Sequence, residues 1–151
     1  MSDQKLVTLI DGSVYAESVC DHASWIAEAS GAGIELLHVI KLFGQSDVVS
    51  LHLPLGSTTE KLINLEVLSA SKPGLVLVNT ARGPIIDLDD LYTAMKENMI
   101  QACGLDVLPE EPANPDHPLI KAWAADEEWI DHRLLVTPHS AFFTPESVYD
   151  M

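Results

Sequence analysis

Basic residues are scarce in this chain. Lysine and arginine total 8 against 23 aspartates and glutamates, a net charge of −15 over 151 residues. Such a surface repels phosphate backbones and anionic headgroups, so neither nucleic acid nor a membrane is an expected partner. Cysteine is scarcer still. Cys20 and Cys103 lie far apart, each in an apolar stretch and without metal-type spacing. That predicts two buried thiols in a reducing compartment, and no metal site. No apolar run approaches the roughly 18 residues of a membrane-spanning helix. "MSDQK" lacks the charged-then-apolar layout of a secretory leader. A soluble, cytosolic chain is expected, and the sequence contains no internal repeat or low-complexity tract.

What is present suits a single globular domain. Hydrophobic residues make up 47% and charged residues 21%, enough to build a core and too apolar for wholesale disorder. "KLVTLID" (5–11) reads as a strand. In the stretch after it, Ala16, Val19, Cys20, Ala23, Ile26 and Ala27 recur at helical spacing, with Ser13 as N-cap and Gly31 as C-terminal stop. "IELLHVI" (34–40), "DVVSLHLPL" (47–55), "LVLVNT" (75–80), "ACGLDVL" (102–108) and "RLLVTPH" (133–139) are further apolar runs of strand length. "TTEKLINLEVLSASKPG" suggests one or two short helices. Residues 87–99 predict another, with Asp87 as cap and Leu88, Leu91, Tyr92 and Met95 on one face. The proline-rich stretch at 109–132 is expected to be only partly helical.

Strands alternating with helices imply a mostly parallel sheet covered on both faces, an α/β three-layer sandwich of Rossmann-like or flavodoxin-like type. Ligands of such sheets sit beyond the C-terminal strand ends, where Asp11, Arg82, Asp106 and His139 fall. One junction resists this scheme. Parallel neighbours need a crossover of about a dozen residues, yet only "KLFGQS" separates Ile40 from Asp47. Three resolutions are open: an antiparallel pairing, a helix over 34–45 with Leu36, Ile40 and Phe43 on one face, or exchange of the segment near 34–46 between two chains of a homodimer.

Three stretches carry chemistry: "NTARGP", "GLDVLPEEP" and "VTPHSA". An arginine after a strand is commonly a surface ion pair, and a lone Thr-Pro-His is commonly a loop. Together and in this order, they resemble the NAD-binding half of the D-isomer-specific 2-hydroxyacid dehydrogenases, over residues 42–151. The tryptophan-bearing "HPLIKAWAADEEWIDHRLLVTPHSAFFTPES" is similar to the C-terminal-binding-protein-like branch. The resemblance implies that Arg82 holds the substrate carboxylate through two parallel donors. It makes His139 the general acid/base and Glu111 the group that orients its imidazole. It places Thr80 and Asp106 at the nicotinamide end of the cofactor, and His52, Pro54 and Leu55 on the adenine side. No metal is implied.

Two features that this family would bring are not found in the sequence. A glycine-rich loop normally presents helix N–H groups to the dinucleotide pyrophosphate, and no G-x-G-x-x-G occurs. The sequence also stops at "TPESVYDM", where the family's chain returns to its substrate lobe. Residues 5–40, with "IDGS" and "ELLHVI", resemble instead the opening of the universal stress proteins. That resemblance implies ATP or another adenine nucleotide near Asp11 and Val39.

The expectation is therefore a chimeric single domain over 1–151, stress-protein-like at 1–41 and dehydrogenase-like at 42–151. Such an engineered or recombined scaffold would have no turnover and at most weak NAD or adenine-nucleotide binding. Two alternatives stand beside it: a minimal or oligomer-completed NAD-dependent D-2-hydroxyacid dehydrogenase, and an adenine-nucleotide-binding module.

Overall fold

The computed structural model describes residues 5–9, 33–37 and 39–141. Along the chain these form β1 (Lys5–Leu9), β2 (Gly33–Leu37), α1 (Val39–Gln45), β3 (Val48–Leu51), α2 (Leu65–Ser69) and β4 (Val76–Asn79). A 3₁₀ turn at Gly83–Ile85 precedes α3 (Leu88–Lys96), β5 (Ala102–Leu105), α4 (Pro118–Ala124) and β6 (Leu134–Val136). β1 and β2 pair in parallel, Lys5 opposite Gly33. A second sheet runs β3-β4-β5-β6, and every pair in it is parallel. Val48 stands opposite Val76, Val76 opposite Ala102, and Cys103 opposite Leu134. The α/β class and the Rossmann-like, mostly parallel sheet are as the alternation of elements predicts. Asp11, Cys20 and the helix expected between Ser13 and Gly31 lie outside the described residues.

β4, inside the four-stranded sheet, is apolar because it is covered. Leu75 and Leu77 are buried and Val76 and Val78 half-buried, so β4 reads as a continuous apolar run. Over it lie Leu91, Ala94 and Met95 of α3, Leu68 of α2, Phe43 of α1, and Leu119 of α4. α3 forms where its periodicity places it. The Asp87 carboxylate accepts the Asp89 and Asp90 N–H groups, and Leu91 and Met95 face the core, with Leu88 and Tyr92 half-buried beside them. The 58–74 stretch, expected to hold one or two short helices, holds one. Only Leu65–Ser69 forms a helix, started by the Asn64 side chain on the Val67 N–H. Cys103 is buried as predicted, and burial pushes its thiol up to about 12.

The awkward junction is divided between two elements. Residues 34–40 are not one strand: β2 ends at Leu37 and α1 begins at Val39. Val39 and Phe43, four residues apart, share the buried face of α1. β2 and β3 belong to different sheets, so the crossover rule does not bear on them.

Arg133 locks the far end of the sheet. Its guanidinium donates to the carbonyls of Gln101, Trp129 and Ile100 at 2.9, 2.9 and 2.8 Å. Two half-buried acceptors and one exposed one lose their partner together if it is removed. Arg133→Met is expected to cost about 2–3 kcal/mol, since hydrogen bonds to charged groups are the stronger ones. Chemical denaturation would measure this, and a cost near zero would mean that water replaces the guanidinium without loss.

Candidate active site

The C-terminal ends of β3, β4, β5 and β6 converge on one edge, and the catalytic candidates project from it. At β3, His52, Pro54 and Leu55 are exposed. His52 Nε2 lies 2.9 Å from the Ser50 hydroxyl. The loop holds its shape through Thr59, which no motif singled out. Its hydroxyl donates to the Pro54 carbonyl at 2.7 Å and accepts the Gly56 N–H at 2.9 Å.

At β4, Thr80 and Arg82 are exposed, and Arg82 Nη1 donates to the Ala81 carbonyl at 2.6 Å. Gly83 follows, packed against the backbone of Leu108 and Pro109. This contact ties the arginine loop to the loop that carries Glu111. The Leu108 N–H in turn donates to Glu111 Oε1 at 3.0 Å.

Glu111 and His139, separated by 28 residues in sequence, meet in the structure. Glu111 Oε2 and His139 Nδ1 are 2.7 Å apart. The hydrogen bond to His139 and that from the Leu108 N–H hold the Glu111 carboxyl below its usual range. A carboxylate on Nδ1 sets which ring nitrogen faces it and orients the ring. His139 adopts a left-handed backbone, φ 52°, which costs a non-glycine residue on the order of 1 kcal/mol or more. Its N–H compensates by donating to the carbonyls of Asp106 and Thr137, at 2.8 and 3.0 Å.

Asp106 supports this loop from beneath. It is 6% exposed. Its carboxylate accepts the Thr137 hydroxyl, the Ser140 N–H at 2.9 Å and the Ala141 N–H at 2.9 Å. Burial alone would raise this carboxyl; those donors, with the nearby His139, outweigh it and hold the group below its usual range. The carboxylate is committed to shaping residues 137–141. A cleft of about 400 Å³ opens here, lined by Asp106, Glu111, Trp123, Val136, Thr137 and His139. A second cleft of about 410 Å³, around Lys61, Asp87, Asp89 and His117, contains none of the predicted site residues.

Arg82, Glu111, His139, Asp106, Thr80 and the 52–55 loop thus stand on consecutive strand ends of one sheet. Val39 does not join them. It opens α1 and is 4% exposed, so the expected place beside an adenine at a strand end is not where this residue lies. Thr59, Gly83 and Asn79 are the residues that motif reading missed. Only Asn79 left a signal, as a polar residue at a buried step of an alternating strand.

Comparisons with known proteins identify the family and the fold. The family model for the D-isomer specific 2-hydroxyacid dehydrogenase NAD binding domain matches residues 9–141. The glyoxylate reductase of Korarchaeum cryptofilum is 39% identical over 115 residues, 76% of this chain and 32% of that protein. The D-mandelate dehydrogenase of Rhodotorula graminis superposes with a TM-score of 0.67 at 28% identity, over 97% of this chain and 37% of that one. The Aquifex aeolicus D-lactate dehydrogenase complexed with NAD and lactic acid gives 0.65 at 26% identity, over 97% and 49%. This chain spans about a third of the length of the curated relatives it matches.

The family match also corrects the two-family reading. It begins at residue 9 and runs unbroken across 39–46, so neither a splice there nor a universal-stress-protein segment with ATP is supported. A strand–helix–strand opening is common to many α/β folds and does not discriminate between families. The chain belongs to the family of D-isomer-specific 2-hydroxyacid dehydrogenases, through their NAD-binding domain.

Proposed function

We propose that this chain supplies the NAD-binding and proton-transfer half of an NAD-dependent D-2-hydroxyacid dehydrogenase. The observation that carries the proposal is the 2.7 Å contact between Glu111 and His139, on the same sheet edge as the exposed Arg82. Arg82 takes the substrate carboxylate by a bidentate contact. His139 gives its Nε2 proton to the carbonyl oxygen in reduction and takes it from the hydroxyl in oxidation. Glu111 holds Nδ1 and keeps the ring aimed through the cycle.

The exposed strand ends fit the two ends of a dinucleotide. Thr80 stands where the nicotinamide would lie, and His52, Pro54 and Leu55 where the adenine would. The bound nicotinamide supplies or accepts the hydride. Asp106 contributes by holding the His139 loop. The pyrophosphate lacks a G-x-G-x-x-G loop, and this favours the second reading, a nucleotide-binding fold with weak cofactor affinity and no turnover.

Calorimetric titration with NADH, followed by NADH consumption with a panel of 2-oxo acids, separates the two readings. NADH binding is expected, with turnover that falls by at least about 100-fold in His139→Gln. Arg82→Gln should raise KM while leaving stability within about 0.5 kcal/mol, as for an exposed side chain. Absence of NADH binding, or turnover indifferent to His139, would overturn the proposal.

A further inference from the structure

We infer that Asn79 is a positioning residue for the substrate carboxylate: its buried side-chain amide sets the backbone from which Arg82 projects. This rests on the proposed function of Arg82. β4 buries alternate positions, Leu77 and then Asn79. An apolar side chain would be the economical choice at the second, yet the chain places an amide there at 0% exposure.

Both ends of that amide are used, and both serve the arginine loop. Asn79 Oδ1 accepts the Ala81 N–H at 3.0 Å, and Nδ2 donates to the Arg82 carbonyl at 2.9 Å. The loop needs an acceptor and a donor from one short side chain at once. Aspartate lacks the donor and leucine lacks both; a serine hydroxyl carries donor and acceptor on one atom and a shorter stem, so it does not offer them from two separate positions as the amide does. The next peptide, Ala81–Arg82, is held as well, because the Ala81 carbonyl accepts Arg82 Nη1. A flexible arginine would otherwise spend rotamer entropy on each ligand it meets. Fixing the peptides on either side of its Cα removes part of that cost beforehand.

The same residue reaches the proton-transfer side. The Asn79 carbonyl accepts the Asp106 N–H at 3.0 Å, and the Asp106 carboxylate holds residues 137–141. Asn79 therefore stands between the carboxylate site and the loop of His139, touching neither reacting group.

The test is a double-mutant cycle read by calorimetry, using oxamate, an unreactive isostere of a 2-oxo acid, on the chain loaded with NADH. Asn79→Asp keeps the acceptor for Ala81 and loses the donor to Arg82; Asn79→Ser answers the same question if the aspartate variant does not fold. Each should weaken oxamate at least about tenfold while moving NADH affinity less than about twofold, in line with the strength of charge-assisted contacts. Arg82→Gln alone should abolish most of the oxamate affinity, and adding Asn79→Ser to it should cost nothing more. Oxamate binding by the Asn79 variants equal to the parent's, or losses that simply add in the double variant, would overturn the inference and leave Arg82 its role. A parent chain that binds NADH but not oxamate would overturn the proposed function, and this inference with it.

Discussion

Among the described glycines, Gly83→Ala should be the most damaging substitution. A Cβ at that position would lie 2.0 Å from the Leu108 carbonyl carbon, 2.1 Å from its oxygen and 2.5 Å from the Pro109 nitrogen. All three are backbone atoms, so no side chain can rotate aside. Either the 3₁₀ turn or the 108–111 loop must move. Overpacking a well-filled site usually costs 1–3 kcal/mol, and a clash with backbone on both sides should reach at least about 3 kcal/mol by the same reasoning. The damage should also spread to chemistry. Leu108 donates to Glu111, which holds His139, so moving Leu108 loosens the Glu111–His139 contact while Arg82 shifts on the other side. Denaturant midpoints measure the first effect, and the nitrogen-15 shifts of the His139 ring measure the second. A loss under about 1 kcal/mol with an unchanged ring signal would show that the two loops yield independently.

Asp106→Asn follows, and it changes one atom. In the parent, one carboxylate oxygen takes the Thr137 hydroxyl and the Ser140 N–H, while the other takes the Ala141 N–H. Whichever way an asparagine turns, its NH₂ faces a backbone N–H, and a buried donor loses its acceptor. The expected cost is about 2–3 kcal/mol. The pH dependence adds a second signature. The folded Asp106 carboxyl lies below its ordinary range, so the folded state binds this proton less readily than the unfolded chain. The stabilisation is therefore whole above the unfolded aspartate value, about 3.9, and is lost as pH falls through the lower folded value. Glu111 shares this sense. Stability measured as pH is lowered should fall less steeply in Asp106→Asn than in the parent. Identical slopes would mean that other carboxylates carry the acid sensitivity.

Both predictions concern residues that hold others in place, which is where sequence reading and structure part. Local pattern was a sound guide to α3, since its cap and periodicity lie within one turn of each other, and to β4, whose apolar run is buried. It overextended β3, β5 and β6 to residues 55, 108 and 139, where the chain leaves the sheet at Leu51, Leu105 and Val136. Apolar and turn residues continue past the last ladder bond there because they build the site, and composition does not distinguish the two tasks. At 34–46 the apolar spacing satisfied both strand and helix; the strand ends at Leu37 and the helix begins at Val39, with Val39 and Phe43 buried in the core.

By itself the sequence determined the alternating α/β order, the covered parallel sheet, and the family constellation of Arg82, Glu111 and His139. Each of these rests on short-range periodicity or on residues whose chemistry is distinctive wherever they stand. Only the tertiary structure decided that Asp106 serves the His139 loop, that Gly83 joins the arginine loop to the glutamate loop, that Thr59 shapes the β3 exit, and that Val39 belongs to a helix. Those roles depend on which backbone atoms come within hydrogen-bonding or van der Waals distance across 25 or more residues of chain for Gly83 and Asp106, and on how the loops and core close around Thr59 and Val39. No local pattern in a single sequence encodes such distances.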